Sequence, residues 1–170
     1  MALPLAYSYA QLERTAQARQ QLDVLARADF GELPRDPFWL ASVSMLGEVA
    51  AFLGDARRAR RLYELLLPYA GRCAVIPAVA CQGSASRPLR MLATTLSRFE
   101  DAARHFEDAL TMNEQIRSPL WTAHTQHDYA RTLLLRNDPG DRRRAIELLP
   151  ERSVQPSGSD REHSPTRPDR

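Results

Sequence analysis

The segment Leu46–Leu66, LGEVAAFLGDARRARRLYELL, reads as two helices joined by a tight turn. Leu46-Gly47 puts a small residue directly after a large one, and Ala50 follows one turn later on the same face. Gly54-Asp55 then supplies a helix stop and an N-cap for the next helix. On that second helix Ala59 is small, Tyr63 comes four residues later, and Leu66 three after that. Two helices approach closely only where small side chains face each other, with larger residues filling the gaps beside them. Gly47 and Ala59 are read as that small pair, and Tyr63 as the filler.

The same register recurs along the chain. It reads Leu5-Ala6, Tyr9, a turn around Glu13, then Ala18, Leu22 and Leu25 near the N-terminus. It returns as Leu89-Arg90, Ala93, a turn at Ser97-Arg98, then Ala102, Phe106 and Ala109. A further copy runs Tyr129-Ala130, Leu133, a turn over Asn137 to Asp141, then Ala145 and Leu149. The anchoring alanines 18, 59, 102 and 145 are 41, 43 and 43 residues apart. Small-and-large patterning of this kind is that of a tetratricopeptide unit, whose common period is about 34 residues. The excess falls in long connections, Asp29 to Asp36, Gly71 to Arg87 and Asn113 to Ser118. The register predicts an all-α fold, an α-solenoid of about four tetratricopeptide-like helix pairs over residues 1–149. The units run about 3–30, 37–71, 86–113 and 119–149, stacked to bury a continuous core.

Helix punctuation agrees with this. Asp36-Pro37 and Ser118-Pro119 each set an N-cap residue before a proline at the first helical position, and Asp55 and Asp141 each follow a glycine as N-caps. Apolar positions recur at three and four residues and give no support for strands. Cys73 to Ser86 reads as a loop or short irregular helix crossing between units. The tail from Pro150 to Arg170 has four prolines, several Ser and Arg, and Val154 as its lone aliphatic residue. Such a segment buries too little apolar surface to offset its ordering entropy, so it is expected to be disordered.

Composition is that of an ordinary globular chain, 44% hydrophobic and 26% charged, with a net charge of only +2. That balance points to neither nucleic acid nor an anionic membrane. All 23 basic residues are Arg, which GC-rich codon usage accounts for. The longest apolar run, Cys73 to Cys81, is half a membrane span and contains Pro77, and the N-terminus lacks a secretory pattern. A cytoplasmic chain is expected, with Cys73 and Cys81 as two small buried thiols.

The run from Arg35 to Leu149 resembles the C-terminal helical-repeat region of large bacterial ATPase-type signalling proteins. These are adenylate/guanylate cyclases with an appended ATPase and repeats, and LuxR-type transcriptional regulators. The resemblance rests on Leu62 to Arg72, on His105 to Leu110, on Asp128 to Arg131, and on the Pro139-Gly140-Asp141 turn before Ala145. It implies a regulatory or interaction region, since the cyclase, ATPase and DNA-reading parts of such proteins lie elsewhere. Two departures stand out. Arg90 and Ser97 occupy positions where the family has glycines, which loosens the third unit. The family pattern also continues beyond Leu149, so the chain reads as a truncated product with an exposed apolar face at that end, open to self-association.

Sharper chemistry finds little footing. His124, His127 and Asp128 share a helix face, but a metal site needs a further converging ligand. His105 beside Phe106 reads as a packing or surface residue. Arg57-Arg58 and Arg60-Arg61 occupy positions equivalent to Arg142 to Arg144, yet Glu48, Asp55, Glu64 and Glu147 nearby argue against a phosphate-binding stripe. Trp39 and Trp121 each open a first helix and are read as packing against the preceding unit. No phosphate loop or nucleophile elbow is present, so no catalytic, cofactor-binding or metal residue is assigned and no enzyme is expected. The leading expectation is a scaffold for a protein partner. A small-molecule sensor binding in the solenoid groove and a non-functional remnant stand beside it.

Overall fold

The computed structural model describes residues 2–77 and 80–149. The expected disordered tail, 150–170, lies outside the described residues. Among them the chain forms eight α-helices and one two-stranded sheet. The helices are α1 (Ala2–Gln11), α2 (Thr15–Leu25), α3 (Trp39–Phe52), α4 (Ala56–Leu66), α5 (Ser86–Thr95), α6 (Phe99–Gln115), α7 (Pro119–Arg136) and α8 (Asp141–Leu148). Each odd-numbered helix packs on the even one that follows it. α3 also meets α1 and α5, while α4 meets α5 and α6 meets α7.

The turns inside the pairs are built alike. Glu13, Gly54, Ser97 and Asn137 end the odd helices with left-handed backbones, at φ of 56, 62, 57 and 56°. After the first three, a backbone N–H reaches five residues back, from Arg14 to Tyr9, Asp55 to Ala50 and Arg98 to Ala93. This closure satisfies carbonyls that a helix end otherwise leaves free. Gly54 adopts it without a steric penalty, whereas Ser97 carries a Cβ that the left-handed region disfavours. Ser97→Gly is therefore expected to stabilise the chain by about 0.5–1 kcal/mol, read as a higher melting temperature. An unchanged or lower value would show that Ser97 is not strained. Asp55 caps α4 by accepting the Arg58 N–H at 3.1 Å.

The other expected caps act differently. α3 begins at Trp39, and Asp36 forms the turn before it, accepting the Phe38 N–H at its side chain and the Trp39 N–H at its carbonyl. Ser118 is the N-cap of α7 with Pro119 at the first helical position, as expected, but makes no side-chain cap bond. Asp141 is the first residue of α8 and not its cap, and its buried carboxylate ties Arg136 and the Asp138 N–H to that helix.

Ala18, Ala59, Ala102 and Ala145 are all buried, and so are Leu22, Tyr63 and Phe106, four residues after the first three. The fourth copy departs, because α8 ends at Leu148, so Leu148 is buried and Leu149 turns outward. Gly47 sits at a close approach of α3 to two neighbouring helices. A Cβ there would lie 3.2 Å from Leu92 Cδ1 and 3.4 Å from both Leu66 Cδ1 and Pro88 Cβ. Gly47 thus makes room for Leu92 and Pro88 of α5 as well as for Leu66 of α4.

The core is divided, not continuous. A large cluster runs from Ala6 through Leu46, Leu62 and Leu92 to Ala102. A smaller one joins Phe106, Tyr129, Ala130, Leu133, Ala145 and Leu148. Between them lies Arg90, whose side chain is 2% exposed. A buried guanidinium needs an acid and hydrogen-bond acceptors where apolar groups would otherwise meet, and this interrupts the apolar packing.

The fold is also not purely helical. Where a loop or irregular helix was expected, β1 (Cys73–Ile76) and β2 (Ala80–Ser84) form an antiparallel hairpin. A bulge between Cys73 and Val75 breaks the pairing register, which removes the alternation that marks a strand in sequence. The hairpin is closed at its base by the Ala85 N–H on the Arg72 carbonyl and packs against α3 and α6. Its cysteines are not two buried thiols, since Cys73 is half-buried and Cys81 exposed.

Candidate functional site

One polar chain runs across the odd helices. The Tyr7 hydroxyl on α1 donates to Glu48 Oε2 on α3 at 3.4 Å. Arg87 on α5 donates to Glu48 Oε1 at 2.6 Å and reaches Asp128 Oδ2 on α7 at 3.5 Å. Arg90, one turn further along α5, donates to the same Asp128 carboxylate and lies 4.2 Å over the Phe106 ring. The helix period explains the alignment. Tyr7 and Glu48 each follow the small-position residues Ala6 and Gly47, while Arg87 and Asp128 lie three and two residues before Arg90 and Ala130. Positions three or four apart share a helix face, so all four side chains emerge on the same side.

Electrostatics bind these groups to one another. Burial works against the Arg87 charge, but the Glu48 and Asp128 carboxylates outweigh it and hold its pKa above the ordinary value. Burial, with the neighbouring Arg87 charge, pulls Arg90 down to about 10 despite the Asp128 carboxylate. Asp128 is pushed up by burial, yet the Arg90 and Arg87 guanidiniums prevail and keep its carboxyl below the ordinary value. Burial and then the Glu48 charge push the Tyr7 hydroxyl up to about 12.

Beside this ladder lies a groove of about 490 Å³. It is bounded by the end of α3 with Phe52, by Met91, Thr94 and Thr95 of α5, and by Arg131 and Leu135 of α7. Arg90 and Asp128 form part of its wall, and Thr94 Oγ1 meets Thr132 Oγ1 across it at 3.5 Å. Phe52 and Leu135 are exposed apolar residues at its rim.

The residues singled out from sequence lie elsewhere or act structurally. His105 is buried and shares a hydrogen bond of 2.9 Å with the Tyr63 hydroxyl, and burial lowers its pKa. His124 and His127 are both exposed on α7, with His124 near the Trp121 ring and His127 Nδ1 3.5 Å from Asp128 Oδ1. No group of three His, Cys, Asp or Glu side chains is placed to hold a metal ion among the described residues. The arginines of α4 reach acids of the first pair, Arg58 to Asp23 at 2.7 Å and Arg61 to Asp29 at 2.9 Å. Arg144 of α8 pairs within its own helix with Glu147. Trp39 is buried against Tyr69 and under the Arg35 guanidinium. Trp121 donates its indole N–H to the Cys81 carbonyl of the hairpin at 3.2 Å.

As a set, the ladder has no signature in the sequence, which carries only the opposite charges of Glu48, Arg87 and Asp128 at one register face. Arg90 stands out in the sequence only as a departure from glycine, and it is the residue around which the site is built. Among the described residues no helix is long and apolar enough to cross a membrane. No family model, no curated protein and no solved structure matches the chain.

Proposed function

We propose that the chain is a repeat scaffold of the tetratricopeptide kind, holding a segment of a protein partner against its odd-numbered helices. The observation that carries this reading is the groove between α3, α5 and α7, which a polar ladder borders and stiffens. Its rim offers Phe52, Met91 and Leu135 for apolar side chains, and Arg131 for an acceptor on the partner. A partner segment of that chemistry gains from both, since apolar anchors give affinity and placed polar groups give orientation. In the signalling proteins that the chain resembles, such an array is the regulatory part, and the same role is proposed here.

Panning a displayed peptide library against the purified chain tests it. Binders should lose at least about tenfold in affinity, or 1.4 kcal/mol, with Leu135→Arg and with Arg131→Glu. They should keep it with Arg60→Ala on α4. A library that yields no binder, or binders indifferent to both groove variants, would contradict the reading. The groove volume also falls in the range of small-molecule pockets, about 300–1,000 Å³. A compound that raises the melting temperature in the parent and not in those two variants would favour a small-molecule sensor instead.

A further inference from the structure

Cys73 and Cys81 are diagonal neighbours across the bulged hairpin, Cys73 pairing with Ser84 and Cys81 with Val75, and their Sγ atoms are 2.7 Å apart. A disulfide bond is about 2.05 Å long, so under about 1 Å of approach separates the two thiols from a covalent link. Their surroundings are asymmetric. Cys81 is exposed, and the Gly83 N–H donates to its sulfur at 3.4 Å. Cys73 is half-buried behind it. Two thiols do not complete a four-coordinate zinc site, and no third ligand joins them among the described residues. Exposure of Cys81 also removes the reading of an inert core thiol.

We infer that Cys73 and Cys81 are a dithiol that closes reversibly to an intramolecular disulfide by exchange with small disulfides of the glutathione class. In the first step the Cys81 thiolate attacks one sulfur of the small disulfide. A mixed disulfide forms at Cys81, and one small thiol leaves with the electron pair of the broken S–S bond and takes up a proton. In the second step the Cys73 sulfur, having lost its proton to water, attacks Cys81 Sγ and expels the second small thiol. The net change converts two protein thiols and one small disulfide into one protein disulfide and two small thiols. Burial and the neighbouring Cys81 sulfur push the Cys73 thiol up to about 12, which disfavours it as the first attacker and leaves that step to the exposed Cys81.

The pair is also wired to the second half of the chain. The Cys81 carbonyl accepts the Trp121 indole N–H, and a Cβ at Gly83, which has φ of 80°, would lie 3.0 Å from the Trp121 ring. Closing the disulfide restrains the strand on which α7 begins to rest, so Trp121 reports the redox state.

The test is to equilibrate the full chain in buffers of graded reduced-to-oxidised glutathione ratio, quench with acid, alkylate, and weigh the intact protein. The expected result is a monomer that loses both alkylatable thiols together, gains no glutathione, and recovers them with a reductant. Cys73→Ser should instead accumulate one glutathione, at Cys81. In a Trp39→Phe background, oxidation should shift the Trp121 emission, and the shift should vanish with Cys73→Ser. Two free thiols at every ratio, a lasting glutathione adduct with both cysteines present, or covalent dimers would each overturn the inference. Disulfide formation with unaltered Trp121 emission would overturn its coupling to α7.

Discussion

Asp128→Ala is expected to destabilise the chain by about 3 kcal/mol, the lower end of the range for breaking a buried ion pair. Arg90 would then sit 2% exposed over the Phe106 ring with no carboxylate, and a buried unpaired charge costs far more than a lost surface contact. The lower end applies because the Asp128 side chain is itself 22% exposed, so water can reach its place from the groove. At about 2–4 °C per kcal/mol for a chain of this size, the melting temperature should fall by about 6–12 °C. Removing both charges has a different effect. Arg90→Met with Asp128→Leu should return stability to within about 1 kcal/mol of the parent or above it, because paired desolvation costs are lifted together. Acid provides an independent check with a fixed sign. The Asp128 carboxyl is held below its ordinary value of 3.8, so its contribution is fully present above that pH. It is lost as the pH falls through the lower, folded-state value, and the gap between parent and Asp128→Ala should close there. Single and double variants that melt alike at neutral pH would show that the pair carries no such energy.

Ala59→Arg is the second large effect. Ala59 is fully buried on α4 in the same cluster as Leu62, Tyr63 and Leu66. Overfilling a packed contact costs about 1–3 kcal/mol, and an unpaired guanidinium adds its desolvation. Together these exceed about 4 kcal/mol, a large share of a typical domain's stability. The arginines at 57, 58, 60 and 61 do not incur this cost, because the helix turns them toward solvent or toward Asp23, Asp29 and Asp55. Circular dichroism should lose its cooperative melt in Ala59→Arg and keep it in Ala123→Arg, where the same change falls on an exposed position. Unchanged melting in Ala59→Arg would break the repeat register at its clearest copy.

The four helix pairs are legible in the sequence because one pattern, a small residue followed by larger ones, recurs at nearly constant spacing. Ala18, Ala59, Ala102 and Ala145 are buried in four successive helix pairs, and the turns fall at Glu13, Gly54, Ser97 and Asn137. Three features escaped it. The hairpin escaped because its bulge at Cys73 to Val75 erases the two-residue period. The divided core escaped because Arg90 reads as a poor fit in a glycine position until Asp128 is found 38 residues away. The ladder escaped because each of its members is an ordinary charged residue on its own helix, and only packing brings them within reach. Leu149 failed for a local reason, since the last helix stops one residue short of it.

The ladder, with Arg90 paired to Asp128 and lying 4.2 Å over the Phe106 ring, joins the two clusters into one cooperative unit. The chain has two tryptophans, and they report on its two parts, Trp39 in the larger cluster and Trp121 on α7. The measurement is thermal unfolding under reducing conditions of Trp39→Phe and Trp121→Phe, followed by fluorescence and by circular dichroism together. One transition is expected, with the emission of each remaining tryptophan melting at the same temperature as the helices of that variant. An early, separate transition at Trp121 while the helices around Trp39 stay folded would contradict it.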